Sequence, residues 1–372
     1  MNIRPFFTSL CKTIIIVCLT LFIPIIPMNA QKNPLRIGVA GVSHAHLHEV
    51  IIRLDRGDFE IVGVSESNPR ILKENGLRGK VADSLFFSDI NEMLDKTKPE
   101  VVVAYGSIYD HLEVVKACAP RHIHVMVEKP LAVNMEHAGQ MADLARKNDI
   151  LLLTNYETTW YDTNREAYRL VNEDKTLGNI HRINVFDGHQ GPFEIGCGKN
   201  FTDWLTDPIQ NGGGAVIDFG CYGANLATWL LKGEKPKRVY GVLQQCKPEM
   251  YPKVDDDATI LVEYPHTVVQ IMASWNWPMN RKDMHIYGRK GYIYQDTPTQ
   301  MRIGINGKEK SIKAPRLEAP YNDSFYYLKA AVRGDIEVKP YDLSALENNL
   351  IVVQILEAAI QSAKSGQPVD LN

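Results

Sequence analysis

The stretch LRIGVAGVSHAH, residues 35–46, decides the fold. Its apolar run from Leu35 to Ala40 is typical of a buried strand, Gly41 favours a tight turn, and helical character follows His46. Where a parallel strand turns into a helix, backbone N–H groups and the helix N-terminus together attract phosphate. The stretch therefore predicts a strand, turn and helix that hold a dinucleotide pyrophosphate.

The spacing of the turn departs from the G-x-G-x-x-G pattern of such units. Gly41 takes the first glycine position, but Ser43 and His46 occupy the second and third. On spacing alone, a plain strand-to-helix turn fits equally well. The second strand ends at Glu66, whose carboxylate would accept hydrogen bonds from a ribose and repel a 2′-phosphate. NAD is therefore predicted over NADP, with Arg70 leaving room for a phosphate. The residues predicted to contact the cofactor here are Gly38, Gly41, Ser43, His44, Ala45, His46 and Glu66.

The alternation of apolar runs with helical patterns sets the fold class of residues 34–154. The strand candidates are Leu35 to Ala40, Glu60 to Val64, Val101 to Ala104, Ile123 to Val127 and Ile150 to Leu153. The helix candidates between them are His46 to Asp55, Asp110 to Cys118 and Asn134 to Asn148, the last with Asn134 as its N-cap. This rhythm predicts an α/β fold whose first domain is a Rossmann-type, doubly wound parallel sheet.

The pattern changes after residue 155. A helix over Thr163 to Glu173 precedes a series of strand candidates: Ile180 to Asp187, Arg238 to Gln245, Ala258 to Tyr264, Thr267 to Trp275 and Met284 to Tyr287. Turn residues between them, such as Pro265-His266, are typical of antiparallel neighbours. The last helix spans Leu343 to Ser365. Residues 155–372 are therefore predicted to form an α+β domain, with a large, mostly antiparallel open sheet, that binds substrate and carries oligomer contacts.

Composition and charge exclude some classes of protein. The 372 residues are enough for two domains, and 45% apolar with 23% charged residues is typical of a globular chain. The net charge of −3, without a basic stripe, argues against a nucleic-acid partner. Four of the six cysteines lie after residue 30, and their scattered spacing fits neither a disulfide framework nor a zinc ribbon.

The first thirty residues have the features of a secretory signal. Arg4 and Lys12 precede an apolar run that is followed by Met28-Asn29-Ala30. Residues 1–30 are therefore predicted to be a signal peptide that is removed on export, leaving a periplasmic or extracellular protein without a stable membrane span. The alternative is an uncleaved anchor, but the run is short and Pro24 interrupts it.

Three histidines raise a metal-binding alternative. His44, His46 and His48 alternate, and an H-x-H after a first strand also begins metal-dependent hydrolases of the amidohydrolase type. The helical character after His46 spoils the extended geometry that such a site needs. Together with Gly38, Gly41 and the motifs below, this favours the nucleotide site, and no metal is predicted.

Lys129 is the first candidate for catalysis. Val127-Glu128-Lys129-Pro130 ends the fifth strand candidate, and the carboxyl ends of strands in a doubly wound sheet face the ligand crevice. In isolation, a surface lysine before a proline turn explains this tetrapeptide equally well.

A combination of motifs resembles one known family. Glu128-Lys129-Pro130 follows the nucleotide-binding turn and precedes GGGAVIDFGCY, residues 212–222; YGRKGYI, residues 287–293, and Glu347-Asn348-Asn349 come later. Together these resemble the glucose-fructose oxidoreductase/inositol dehydrogenase family (Gfo/Idh/MocA), in a secreted form, over nearly the whole chain after residue 30.

The resemblance implies roles for individual residues. Lys129 matches the active-site lysine of the family, Asp218 its acidic partner, and Tyr222 a position that many members fill with histidine. Asp218 and Tyr222 are four residues apart and would share a helix face. Tyr222 would need a neighbouring cation to act as a base near neutral pH. The resemblance also adds His111, Glu128 and Lys129 to the cofactor-binding residues.

Further candidates concern the substrate and one turn. Tyr156, Trp160, His189 and Trp275 are predicted to bind substrate, Trp275 by stacking on a sugar face. Asp255 to Asp257 are predicted to form a solvated turn.

The expected function is that of an exported NAD-dependent oxidoreductase acting on a hydroxyl of a sugar or glycoside, with tightly bound and internally recycled NAD. Two alternatives stay open: an NAD-dependent glycoside hydrolase that acts by transient oxidation and elimination, and a non-catalytic periplasmic sugar-binding or sensor protein. The open sheet is expected to form a homo-oligomer.

Overall fold

A parallel sheet of six strands forms the first part of the computed structural model, which describes residues 33–371; the predicted signal peptide, residues 1–30, lies outside them. The strand order is β3-β2-β1-β4-β5-β6, and every pair is parallel. The bounds are β1 Leu35–Ala40, β2 Phe59–Ser65, β3 Phe86–Phe87, β4 Val101–Ala104, β5 His124–Glu128 and β6 Leu152–Asn155. The prediction of a doubly wound Rossmann-type sheet is confirmed.

Five helices connect these strands. They are α1 Leu47–Ile51, α2 Pro69–Lys73, α3 Ile90–Thr97, α4 His111–Cys118 and α5 Met135–Lys147. The predicted cap of α5 is present, because the Asn134 side chain accepts a hydrogen bond from the His137 N–H at 2.9 Å. Helix α1 is shorter than predicted. Its last turn is closed by Arg53, whose guanidinium donates to the Glu49 carbonyl at 2.7 Å.

A nine-stranded sheet dominates the rest of the described chain, in the order β14-β13-β12-β11-β7-β10-β9-β8-β15. The only parallel pair among its strands is β7 with β10, so the prediction of a mostly antiparallel sheet is confirmed. The bounds are β7 Ile180–Gly188, β8 Arg238–Gln244, β9 Asp257–Glu263, β10 Val268–Ser274, β11 Arg281–Gly288, β12 Gly291–Gln295, β13 Gln300–Ile305, β14 Lys308–Lys313 and β15 Val369–Asp370.

Helix α9 packs against this sheet beside the last helix, and all of its residues are buried. The approach to the sheet is close, because a Cβ on Gly223 would lie 2.6 Å from the Ile271 side chain of β10. The helices of this part are α6 Asp162–Tyr168, α7 Lys199–Leu205, α8 Ala215–Asp218, α9 Gly220–Leu230, α10 Ser324–Val332 and α11 Leu346–Ser365. Short helical segments lie at Glu157–Trp160 and Arg169–Glu173.

Helix α10 returns to the first sheet. Phe325 stacks on Phe59 of β2 with 4.7 Å between ring centroids, and Asp323 accepts hydrogen bonds from Arg53 and Arg56. A single boundary at residue 155 did not anticipate this return, because nothing local in the sequence marks such a long-range contact.

Asp255 and Asp256 correct the prediction of a solvated turn, since both are buried. Asp255 accepts hydrogen bonds from the backbone N–H groups of Gly214 and Val216 at the start of α8. Asp256 accepts from the N–H of Cys246 at 2.7 Å. These carboxylates replace water at backbone donors that the turn leaves unpaired.

Within residues 33–371, no helix combines the length and apolar character that crossing a bilayer requires.

Candidate active site

A crevice of about 550 Å³ opens at the carboxyl ends of β1, β2 and β4. Gly41 lies at its base with φ of 75°, and a Cβ there would lie 2.5 Å from the Gly106 backbone. Only glycine permits this approach of the turn to the loop after β4. The lining includes Gly41, Ser43, Glu66, Arg70, Ser107, His111 and Gln210.

Glu66 is fixed at the end of β2, where the sequence placed it. Its carboxylate accepts hydrogen bonds from the Val42 N–H at 3.2 Å and from the Asn68 N–H at 2.9 Å. The carboxylate therefore faces the crevice beside the nucleotide turn, where an adenosine ribose fits and a 2′-phosphate would be repelled.

His111 presents a free acceptor on the same crevice. Its Nδ1–H donates to the Leu131 carbonyl at 3.1 Å, so Nε2 of the neutral ring carries a lone pair. Burial lowers the pKa of His111 to about 4, and Nε2 is buried with no partner in the described part of the chain. A buried acceptor without a donor fits a ligand that supplies one. Gly41, Glu66 and His111 together fit a dinucleotide.

Gly38 and His44, which were predicted to contact the cofactor, do not line this crevice. Gly38 lies inside β1, where a Cβ would be 3.2 Å from Met93 and Val102; it allows close packing and does not line the crevice. His44 packs against the rings of Phe201 and Trp204, at 4.9 and 5.4 Å between centroids. With Ala45, His44 borders an adjoining cavity.

His46 begins a hydrogen-bonded chain beneath the crevice. Its Nδ1 donates to Glu128 at 2.9 Å, Asn155 donates to the other oxygen of Glu128 at 2.8 Å, and Trp160 Nε1 donates to Asn155 at 3.2 Å. Burial alone would lower the pKa of His46, but the Glu128 carboxylate outweighs burial and raises it. Trp160 also packs against Tyr327, and its predicted contact with substrate stays a prediction.

The same residues bear on the metal-binding alternative. One ligand atom each of His44, His46 and Glu128 lies within 4.8 Å of the others. The hydrogen bond between His46 and Glu128 accounts for this arrangement as an imidazolium–carboxylate pair, without an ion.

Lys129 and Asp218 form a buried ion pair. The Lys129 ammonium donates to the Asp218 carboxylate and, at 2.9 Å, to the Asp218 backbone carbonyl. The side chains are 6% and 7% exposed. Burial lowers the pKa of Lys129, but Asp218 outweighs burial and raises it on balance. Burial likewise works to raise the pKa of Asp218, and Lys129 lowers it on balance. Both groups are therefore charged at neutral pH.

Trp275 fixes the other oxygen of Asp218. Its Nε1 donates to Oδ2 at 2.9 Å, and the side chain is 0% exposed. The prediction that Trp275 stacks on a sugar is therefore wrong, because no face of the indole is open. Tyr156 is equally buried and packs edge-on against Tyr222 at 5.5 Å, so it does not meet substrate directly. The alternation of residues along a strand predicts the face of the sheet to which a side chain points. It does not show whether another part of the chain covers that side chain.

Tyr222 packs near two ammonium groups. Lys129 Nζ lies 5.1 Å and Lys282 Nζ 5.2 Å from its ring centroid. Burial, reinforced by Glu157, raises the pKa of Tyr222 well above its ordinary value, so the phenol keeps its proton at neutral pH beside these two groups. A base role for Tyr222 stays a prediction.

His189 stands at the end of β7 beside the ion pair. Its Nδ1 accepts a hydrogen bond from the Gly191 N–H at 2.9 Å, and its ring meets Phe219 edge-on at 4.9 Å. Burial lowers the pKa of His189, although Asp218 opposes this. The neutral ring therefore carries its proton on Nε2 and is available as a donor.

Two residues near this cleft, Asp187 and Lys282, were missed by the sequence analysis, although a signal existed for both. Asp187 continues the core-facing row of Ile183 and Val185, and Lys282 continues the row of Met284 and Ile286. A charged residue at the end of a core-facing row of apolar residues indicates a functional site. The alternation of residues along each strand would have been enough to identify both.

The crevice and the buried lysine define a nucleotide-dependent oxidoreductase. Residues 35–156 match the family model described as "Oxidoreductase family, NAD-binding Rossmann fold", and residues 165–294 match the GFO/IDH/MocA C-terminal domain. The chain belongs to the GFO/IDH/MocA family, and its first domain is the NAD-binding domain of that family. The resemblance to this family is confirmed, and the expectation of a secreted member stays a prediction.

Individual relatives cover most of the described chain. A D-glucoside 3-dehydrogenase of Escherichia coli is 25% identical over 91% of this chain and 98% of its own. A trans-1,2-dihydrobenzene-1,2-diol dehydrogenase of Xenopus laevis is 29% identical over 61% of this chain and 66% of its own. The crystal structure of an inositol dehydrogenase homolog from Azotobacter vinelandii, complexed with NAD+, has a TM-score of 0.78 at 19% identity, covering 91% and 98%.

Proposed function

We propose that this protein oxidises a hydroxyl-bearing carbon of a sugar or glycoside, and that it keeps its NAD bound between turnovers. The observation that carries the proposal is the buried Lys129–Asp218 pair at the carboxyl edge of the same sheet that forms the dinucleotide crevice. The E. coli relative named D-glucoside 3-dehydrogenase supports the substrate class, because its match extends over nearly the full length of both chains.

Oxidation of a hydroxyl removes a hydride from carbon and a proton from oxygen. NAD, when bound, supplies the hydride acceptor. Lys129 handles the proton at its Nζ: the ammonium form donates to a carbonyl oxygen in the reductive direction, and the neutral amine accepts the hydroxyl proton in the oxidative direction. Asp218 and Trp275 hold Nζ in place, and His189 Nε2–H can donate to the same substrate oxygen.

We expect the cofactor to stay bound because the first thirty residues predict that the protein is exported. Free NAD is scarce outside the cytoplasm, so an exported enzyme must carry its own and regenerate it with a second substrate or the reverse step. Protein purified from the exported fraction is expected to release NAD(H) on denaturation at about one per chain. Chromatography of the released material measures this ratio. Protein that releases no dinucleotide and binds none on titration would contradict the oxidoreductase proposal.

Glu66 is proposed to select NAD over NADP. Glu66→Ala is expected to weaken NAD binding and to narrow the preference over NADP by about tenfold, because a ribose acceptor and a charge that repels the 2′-phosphate are lost together. Binding constants for both dinucleotides measure this change.

The matched control is Glu60→Ala, on the same strand, where the carboxylate is half exposed and faces Arg36 at 3.7 Å. An unchanged preference in the Glu66 variant would place the ribose elsewhere.

Product analysis distinguishes the hydrolytic alternative. NADH or an oxidised sugar supports the oxidoreductase, whereas a released monosaccharide without net reduction of NAD supports glycoside cleavage by transient oxidation.

The exposed face of the nine-stranded sheet supports a homo-oligomer. Gly241 faces α11, where a Cβ would lie 2.2 Å from the Ala359 carbonyl, so its neighbours Tyr240 and Val242 point to the opposite face. Both are exposed, as is Leu261 on the next strand. Apolar side chains in a row on an open sheet are typical of a surface covered by a second copy.

A further inference from the structure

A second ammonium–carboxylate pair lies near the same Tyr222 ring as the first. The Lys282 ammonium of β11 donates to the Glu157 carboxylate, and the two side chains are 13% and 41% exposed. Lys282 and Lys129 lie at similar distances from the Tyr222 ring, so their nitrogens are separated by no more than twice that distance. A ring-sized polyol can therefore reach both.

The Glu157–Lys282 pair and the Lys129–Asp218 pair affect the pKa values of the same neighbouring groups. The pKa of Glu157 is lowered because Lys282 outweighs the effect of burial, and His46 contributes in the same direction. Burial lowers the pKa of His189, and the charges of Lys282 and Lys129 both add to this effect. Glu157 and Lys282 therefore interact electrostatically with the groups around Lys129, and Lys282 and Lys129 both lie near the Tyr222 ring.

Asp187 lies next to Lys282 in the nine-stranded sheet. It is the direct cross-strand partner of Lys282, so their side chains leave the sheet on the same face. Asp187 is 0% exposed, and neither carboxyl oxygen has a hydrogen-bond partner within residues 33–371. Burial raises the pKa of Asp187 well above its usual value, with Lys282 and Arg281 opposing this and Asp283 and Glu157 adding to it.

Such a carboxyl is a cost to the fold. An unpartnered buried polar group destabilises a protein, and an apolar residue at this position would simply continue the row of Ile183 and Val185. A feature that weakens folding and lies beside the reaction centre points to a use in the bound state.

We infer that Glu157, Lys282 and Asp187 recognise hydroxyl groups of the substrate other than the one that reacts at Lys129. Glu157 accepts from adjacent hydroxyls, Lys282 donates to a hydroxyl oxygen, and Asp187 is the acceptor to which Lys282 turns when substrate takes over Glu157. The substrate class is then a ring with hydroxyls beyond the reacting one, such as a glycoside or cyclitol. This inference rests on the proposed function.

The arrangement disfavours a diol on an otherwise apolar ring. Such a ring would exclude water from Glu157 and Lys282 without replacing its hydrogen bonds, and sites built for polar groups reject analogues that lack them. Discrimination between a polyol and a simple diol therefore measures the recognition site separately from the chemical step.

The test is calorimetric binding to the NAD-loaded protein, with methyl β-D-glucopyranoside and trans-1,2-cyclohexanediol as probes. Lys282→Met is expected to weaken glucoside binding about tenfold or more and to change cyclohexanediol binding less than threefold. Glu157→Gln, which keeps a hydrogen bond to Lys282, is expected to lose less. Lys310→Met, on exposed β14, is the control.

Equal loss for both probes, no loss for either, or wild-type protein that does not prefer the glucoside would overturn the inference. Failure of the proposed function looks different: the glucoside binds and Lys282→Met weakens it, yet no oxidation of it is detected.

Asp187 gives a second measurement. Asp187→Leu is expected to raise the Tm of the substrate-free protein, because the unpartnered carboxyl is gone, and to weaken glucoside binding; Asp187→Asn should lose less affinity. A lower Tm with unchanged glucoside affinity for Asp187→Leu would assign Asp187 a purely structural role and overturn its part in recognition.

Discussion

Replacing Lys129 with methionine is expected to lower kcat by about a hundredfold or more at temperatures where the variant is folded. Because the variant leaves the buried Asp218 carboxylate without its counter-charge, it should also be less stable than the wild type, so its folding and NAD content are measured alongside kcat. Methionine fills a similar volume but cannot hold or move a proton, and a positioned acid–base group is worth about this factor. Single-turnover absorbance of the reduced nicotinamide separates an effect on the hydride step from one on product release.

The pH profile gives a second signature of Lys129. Because Asp218 raises its pKa on balance, Lys129 is an ammonium at neutral pH. The oxidation rate, which needs the neutral amine, should rise as pH increases toward that pKa, whereas carbonyl reduction should be level near neutrality and fall above it. The methionine variant should show neither the rise of the oxidation rate nor the fall of the reduction rate with increasing pH.

Lys116→Met, on the exposed face of α4, is the matched control and should keep both rate and profile. Turnover close to wild type for the Lys129 variant would assign the proton to another group of the cleft, with His189 as the next donor.

Local sequence pattern was enough for much of the fold. Alternating runs and turn residues located both sheets, and Gly41 and Glu66 lie where a parallel strand end places them. The return of Phe325 to β2 could not be read in this way, because the contact joins residues far apart in the chain and has no local marker.

The candidate site was predictable only in part. Lys129 and Asp218 followed from motifs, and the structure brings them into contact. The errors concern burial: Trp275 and Tyr156 are covered by elements distant in sequence. Burial also raises the pKa of Tyr222, which residue type alone did not indicate. Residue type indicates which chemistry is available, but the degree of burial that sets pKa and access depends on tertiary packing.

Asp218→Asn is expected to cost about 3–5 kcal/mol of unfolding free energy at pH 7, because it leaves the buried Lys129 ammonium without its counter-charge. The sign follows from the pKa shifts. Asp218 has a lowered folded pKa, so its contribution is present above the unfolded value and is lost as pH falls through the folded value. Urea unfolding of both proteins should therefore differ most near neutrality and converge in acid.

The same variant should move the activity profile. Without Asp218, burial is opposed only by the remaining influences of Cys221 and Glu128, so the pKa of Lys129 should fall and the rise of the oxidation rate should begin at a lower pH than in the wild type. Trp275→Phe is the matched control: it removes one hydrogen bond to Asp218 but keeps the ion pair, so its profile should shift less. If Asp218→Asn changed neither the stability nor the onset of the oxidation limb, the pair would not set the charge state of Lys129, and the base would have to be sought among Glu157, Lys282 and His189.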